Sequence, residues 1–111
     1  MAKSENYKIF ERKLKDVNSK KKRLSLLEQL DSLDEEILNE RDRISKELSF
    51  FESALDSLED MDKNIIESNY IEKISMVKIA EETNYATSVC SRKKVKAVKN
   101  LMYLMTGIKE E

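Results

Sequence analysis

The chain contains no proline and a single glycine, Gly107, close to its end. Tight hairpins and sheet connections rely on those two residues for backbone conformations that others resist. A length of 111 residues almost without them leaves little room for β architecture. Charged residues make up 39% of the sequence, against roughly a quarter in ordinary globular domains. Rich in Glu, Lys, Leu and Arg, such a chain is suited to long solvated helices. The expectation is an all-α fold: one compact domain, or a small domain joined to a long helix.

Several function classes lose their chemistry at the same stage. Histidine is absent, which removes the commonest general base and metal ligand. There is no Gly-rich phosphate loop, and the one cysteine, Cys90, cannot build a zinc site. The carboxylate pairs Glu35-Glu36 and Glu81-Glu82 read as solvated helix faces. No enzyme, cofactor, metal or small-molecule substrate is expected. No apolar run approaches the roughly 20 residues that span a bilayer, and the start, MAKSENYKIFERKLKD, lacks the apolar core of a signal peptide. A lone cysteine suits a reducing compartment, so the sequence reads as cytoplasmic, with no membrane partner.

Charge is strongly segregated. Residues 1–23 carry nine Lys/Arg and three Asp/Glu, residues 24–72 four and fifteen, and residues 73–111 eight and four. An acidic middle between basic ends fits a localised basic surface rather than binding along the whole length.

From Leu27 onward apolar residues follow a three-and-four spacing. Leu27, Leu48 and Leu55 form one set, with Asp34 and Arg41 as its polar members, and Leu30, Ile37, Ile44, Phe51 and Leu58 form the other. That is a coiled-coil-like heptad pattern. An upstream stripe, Tyr7, Phe10, Leu14, Val17 and Leu24, runs in another phase, with the slip between Leu24 and Leu27. Two arrangements fit. In one, residues 20–58 form a single helix about 58 Å long that pairs with a second copy, making a homodimer. In the other, the chain folds back near Asp31-Ser32, with Ser32 and Glu35 spaced as a capping box. The lack of Gly and Pro favours the first arrangement, whereas Asp34 would meet its own copy in a parallel seam. Residues 1–57 are thus a charged helical region for assembly or spacing.

Residues 58–108 read as three helices. An acidic start precedes Ile65, Ile66 and Tyr70 at core spacing, which suits a helix N-terminus. Ser75 is placed to cap a short helix whose inward residues would be Val77, Ile79 and Ala80. Asn84 then stands where a turn needs a left-handed backbone. Tyr85 is the expected apolar plug after the turn, and a basic third helix runs from about Thr87 to Met105 with Cys90 inward as a small hydrophobe. Two short helices, a brief turn and a longer basic helix are the layout of a helix-turn-helix.

Three stretches carry a family resemblance: Leu58 with Ile65-Ile66-Glu67 and Tyr70; Ser75 with the run from Ile79 to Tyr85; and SRKKVKAVKNL over residues 91–101. Together they resemble region 4 of bacterial sigma factors, the module that reads the −35 promoter element. A short chain joining such a module to charged N-terminal helices resembles the phage late-gene transcriptional regulators of the ArpU and RinA type. Three positions depart from the pattern: Ala86 where Ser or Thr usually caps, so that Thr87 would cap instead; Asn84 in place of Gly; and Lys93 at a normally apolar site. The resemblance implies a regulator that binds double-stranded DNA, contacts RNA polymerase, or does both. Residues 1–57 lack the aromatic cluster that promoter melting requires, so a complete sigma factor is not expected.

With Cys90 inward and 100° per residue, Ala97, Leu101, Met105 and Ile108 share its face. Arg92 and Lys96 fall opposite, near Ser88 and Lys99. Arginine can bond guanine O6 and N7 together in the major groove, and lysines toward the helix end suit phosphates. The expected DNA-binding residues are Thr87, Ser88, Ser91, Arg92, Lys96 and Lys99. The competing expectation is an interaction or adaptor protein whose three-helix unit docks a protein such as RNA polymerase.

Overall fold

A computed structural model describes residues 3–31 and 33–110. Those residues are all-α, without strands, in an elongated body of 52 × 29 × 23 Å. A bent N-terminal helix comprises α1 (Glu5–Lys15) and α2 (Val17–Gln29). It is followed by α3 (Glu35–Asp56), α4 (Asp60–Ile66) continued by a π-helical turn (Glu67–Ile71), α5 (Met76–Thr83) and α6 (Thr87–Thr106).

α1 starts because Ser4 Oγ accepts the Tyr7 N–H at 3.1 Å, satisfying one orphan donor of the first turn. Tyr7, Phe10 and Leu14 lie on one face and are buried, with Val17 following across the bend. The bend is at Asp16, between the buried Leu14 and Val17.

The single helix over residues 20–58 is not what forms. α2 stops at Gln29 and α3 begins at Glu35, leaving an antiparallel hairpin within one chain. The physical reason lies at Asp34, whose carboxylate accepts the Glu36 N–H at 2.9 Å and caps α3. Glu35 and Glu36 in the first turn then favour the positive end of the helix dipole. The polar residue that interrupts the heptads is therefore a helix start. Of the expected capping box, Ser32 lies outside the described residues, and Glu35 is the first residue of the helix.

The hairpin also accounts for the segregated charge. Lys20 meets Glu47 at 2.9 Å, Arg23 grips Glu40 with two bonds of 2.9 and 3.1 Å, and Lys21 lies 3.6 Å from Glu52. The basic segment and the acidic one face each other across α2 and α3.

The main core crosses the 57/58 division. Tyr7, Phe10, Leu14 and Val17 from the bent helix join Phe51, Ala54, Leu55 and Leu58 from the end of α3. Ile66, Tyr70 and the α6 residues Ala97, Val98, Leu101 and Met102 complete the cluster. α6 is the hub, and residues from both halves close around it. A second, smaller cluster holds Ile79, Ala80 and Cys90, flanked by Ile74 and Met76.

Candidate functional site

The site is assembled from the ends of two helices and the turn between them. After the π-helical turn the chain reverses at Lys73, whose φ of 60° is left-handed. Asn69 Nδ2 secures the reversal by donating to the Ile74 carbonyl at 2.9 Å. Ser75 Oγ accepts the Lys78 N–H at 3.2 Å and caps α5, as its position in the sequence requires. α5 ends at Asn84, φ 62° and ψ 22°, the left-handed turn residue expected there. Ile79 and Ala80 bury against Cys90, and Thr83 Oγ1 donates to the Ile79 carbonyl at 2.8 Å beside the thiol.

Several finer expectations are corrected. Val77 is 58% exposed, because one turn of an eight-residue helix brings only Ile79 and Ala80 onto α6. Tyr85 is 43% exposed and does not plug the core; its ring lies under Lys93, with Nζ 5.1 Å from the centroid. That contact gives Lys93 an aromatic surface where an apolar side chain was expected. Thr87 does not cap α6: the cap position is Ala86, without a side-chain bond, and Thr87 is the first helical residue. Ile108 lies beyond Gly107, where α6 ends in a left-handed residue, and is exposed rather than sharing the Cys90 face.

The register of α6 holds elsewhere. Cys90, Ala97 and Leu101 are buried. Thr87, Ser88, Arg92 and Lys96 are exposed, and Ser91 and Lys99 are half-buried. By helical geometry Ser88, Arg92, Lys96 and Lys99 form one outward arc, which Tyr103 extends toward the C-terminus at 52% exposure. Ser91 and Thr87 lie nearer the inward side of that arc. From Thr83 to Lys109 the sequence carries six Lys/Arg and no Asp/Glu, so no carboxylate from this segment neutralises the arc. Its lower boundary is acidic: Glu59 and Asp62 line a shallow depression with Lys96, Asn100 and Tyr103, and Asn100 Nδ2 donates to Asp62 at 3.0 Å. The basic surface therefore belongs to the first four turns of α6, ending at Lys99.

Lys94 lies inside this basic run yet is absent from the face. It points the other way, half-buried, with Nζ 5.6 Å from the centroid of the Tyr70 ring. Burial holds its pKa below the usual lysine value, against the attraction of Glu11. Glu11 accepts a hydrogen bond from the Tyr70 hydroxyl and lies 3.7 Å from Lys3. Burial pushes the Glu11 carboxyl up, but the Tyr70 bond and the charges of Lys3, Lys15 and Lys94 outweigh it, leaving it below the usual carboxylate value. This polar node ties α1 and the π-helical turn to the back of α6. Lys94 has no signal in the sequence that separates it from its outward neighbours other than its position on the helix.

Among the described residues no cluster of His, Cys, Asp and Glu could hold a metal ion, and no helix is long and apolar enough to cross a membrane. No protein-family model matches the chain, and neither a curated protein nor a solved structure is matched by it.

Proposed function

We propose that the chain is a DNA-binding transcriptional regulator of the phage late-gene kind its sequence resembles, reading double-stranded DNA with the outward face of α6. The observation that carries this reading is the conjunction of a left-handed turn at Asn84 with an outward arc of Ser88, Arg92, Lys96 and Lys99 in a segment without Asp or Glu. A helix of this kind fits the major groove, where arginine discriminates guanine and lysines hold phosphates. The cap position of α6, Ala86, makes no side-chain bond, which suits the first turn to a backbone phosphate. The protein acts in the cytoplasm as a homodimer, offering two such faces, and contacts RNA polymerase at the promoter.

A second reading has its own observation. Val77, Tyr85, Tyr103 and Leu104 are exposed apolar side chains around the basic arc, a mixture that also suits docking on a protein such as RNA polymerase. Duplex binding measured by fluorescence anisotropy across a salt series separates the two. DNA reading requires log affinity to fall linearly with log salt, by about 0.9 for each phosphate neutralised. Failure to bind any duplex from a randomised pool at low salt would leave the docking reading in its place.

A further inference from the structure

We infer that the α2–α3 hairpin opens at residues 30–34 and exchanges between two copies, so that the partner for its exposed tip is a second copy of this chain. This rests on the dimer reading above and specifies how that dimer is built.

The connection has the chemistry of a helix rather than of a turn. It contains no Gly or Pro, and the Leu30, Ile37, Ile44 and Phe51 set continues through it, while the Leu27, Leu48 and Leu55 set carries the polar Asp34 and Arg41. In the closed hairpin its apolar side chains are left out: Leu26 is 58% exposed, Leu30 49% and Leu33 95%. Made helical, the connection would place Leu26, Leu30, Leu33 and Ile37 at i, i+4, i+7 and i+11, one continuous stripe. Two straightened chains can cross there antiparallel and cover each other's stripes.

Nothing in the hairpin itself need be lost. The Lys20–Glu47, Arg23–Glu40 and Lys21–Glu52 pairs join α2 to an antiparallel α3. The same pairs form equally well when that α3 belongs to the second copy, with the two-fold axis at the connection. A parallel pair would instead set Lys20 beside Lys20. Exchange of an element across a short hinge is a low-cost route to dimers.

One force opposes opening. Glu28, Asp31, Asp34, Glu35 and Glu36 surround the tip, and exchange brings two such sets together. The closed monomer is thus favoured at low ionic strength, and the exchanged dimer gains as salt screens the repulsion. Where α6 reads DNA as proposed, the dimer carries its reading faces at opposite ends of helices about 60 Å long, suited to two separate duplex segments.

The test uses full-length protein without DNA. Chains in natural-abundance and ¹⁵N forms are mixed, concentrated to high micromolar, and separated by sedimentation at low and at 0.5 M salt. A carbodiimide then joins Lys20 to Glu47 as an amide, and the linked peptides are weighed. Exchange predicts a dimer fraction that rises with salt, in which about half of the Lys20–Glu47 links are mixed-isotope. Asp34→Ala removes the cap needed only by the closed form and should tighten dimerisation on the order of tenfold. Asp31→Gly with Leu33→Gly disfavours the continuous helix and should loosen it. A dimer whose links are all same-isotope overturns exchange while sparing the dimer. A chain that stays monomeric in every condition, Asp34→Ala included, overturns both.

Discussion

Along the α2–α3 hairpin opposite charges meet inside the molecule, whereas along α6 lysines and an arginine face outward with no acid from their own segment beside them. Both regions carry a cluster of basic side chains, and they differ in where the complement of those charges lies. Charge segregation in a sequence has at least two origins, self-pairing and partner-binding, and only the register between segments tells them apart. Nine of the chain's basic residues lie in residues 1–23, yet three of those nine form the hairpin's ion pairs. Lys8, Lys13, Lys15 and Lys22 stay exposed beside the hairpin, and the arc on α6 is the basic surface whose own segment carries no acid.

The largest expected effect tests whether these regions are energetically separate. Leu101 is fully buried in the cluster that also holds Tyr7, Phe10, Leu14 and Phe51. Leu101→Ala should cost about 2–5 kcal/mol and lower the melting of hairpin and α6 together, in one circular-dichroism transition. Ile79→Ala removes a contact in the small cluster of Ile79, Ala80 and Cys90 and should loosen α5 and the turn while the hairpin stays folded. A fragment of residues 56–111 lacks the α1 and α3 side of the main core and should be largely unfolded in isolation. A cooperatively folded fragment would show that α6 needs neither.

The features legible in the sequence were those decided within a few residues. Ser75 as a cap, Asn84 as the left-handed residue and Cys90 as an inward small side chain all follow from local chemistry, and the structure has each. The heptads were equally visible, but a spacing pattern records which face is buried and not against what. Asp34 shows the difference: by spacing it is a flaw in a coiled-coil seam, and by structure it is the cap that ends the seam. Tyr85 failed for the opposite reason, since an aromatic residue after a turn suggests a plug unless a cation at Lys93 offers it a surface position. The π-helical turn at Glu67–Ile71 had no sequence signal; it is held by tertiary bonds such as Asn18 Nδ2 to the Ile71 carbonyl at 2.7 Å.

The next effect sharpens the outward half of the comparison. Arg92→Ala should remove about 1–3 kcal/mol of discrimination at one base pair, read from affinities for a selected site and its single-base variants. Lys96→Ala should weaken all sequences alike and reduce the salt slope by about one. Thermal melting should be unchanged in both, because both side chains are exposed. Binding by both variants equal to that of the native chain would move the reading surface off this arc.

A smaller effect probes the node behind α6. The Tyr70 hydroxyl donates to Glu11, and Tyr70→Phe should cost about 1–2 kcal/mol at neutral pH. The Tyr7 hydroxyl is buried near that of Tyr70 and makes no hydrogen bond of good geometry, so Tyr7→Phe should be neutral or slightly stabilising. Their pH dependence follows from the sign of the shifts. Burial, and then the nearby Glu11 charge, push Tyr7 from 10.0 up to about 12, and burial raises Tyr70 further. Unfolded tyrosines ionise first, so stability should be intact below pH 10 and fall as pH rises from there through about 12. Tyr7→Phe should flatten that fall. Glu11, held low, acts at the other end: its contribution is present above the ordinary carboxylate range and is lost as pH drops through its own lowered value. Indistinguishable alkaline unfolding of the native chain and Tyr7→Phe would show that Tyr7 is not the group responsible.

The smallest effect returns to the hairpin, where a weak interaction carries an architectural statement. Lys20 and Glu47 are 2.9 Å apart, with 36% and 45% of their side chains exposed. Pairs so exposed contribute about 0.2–1 kcal/mol, and salt should reduce that further. Lys20→Glu alone places two carboxylates together and should lower the melting temperature; Glu47→Lys alone should do the same with two ammonium groups. Both changes in one chain restore an attraction of opposite polarity, so the double variant should recover most of the loss. The recovery, taken as a double-mutant coupling, is the quantity to measure, because single variants also alter the field of the whole hairpin. A coupling of zero would mean that this pair does not help hold the two helices, leaving the Arg23–Glu40 and Lys21–Glu52 pairs and buried side chains such as Leu27 and Ile44 to do so. A coupling within the expected range at low salt, and smaller at high salt, would show that opposite charges of residues 1–23 and 24–72 attract each other within the chain's own fold.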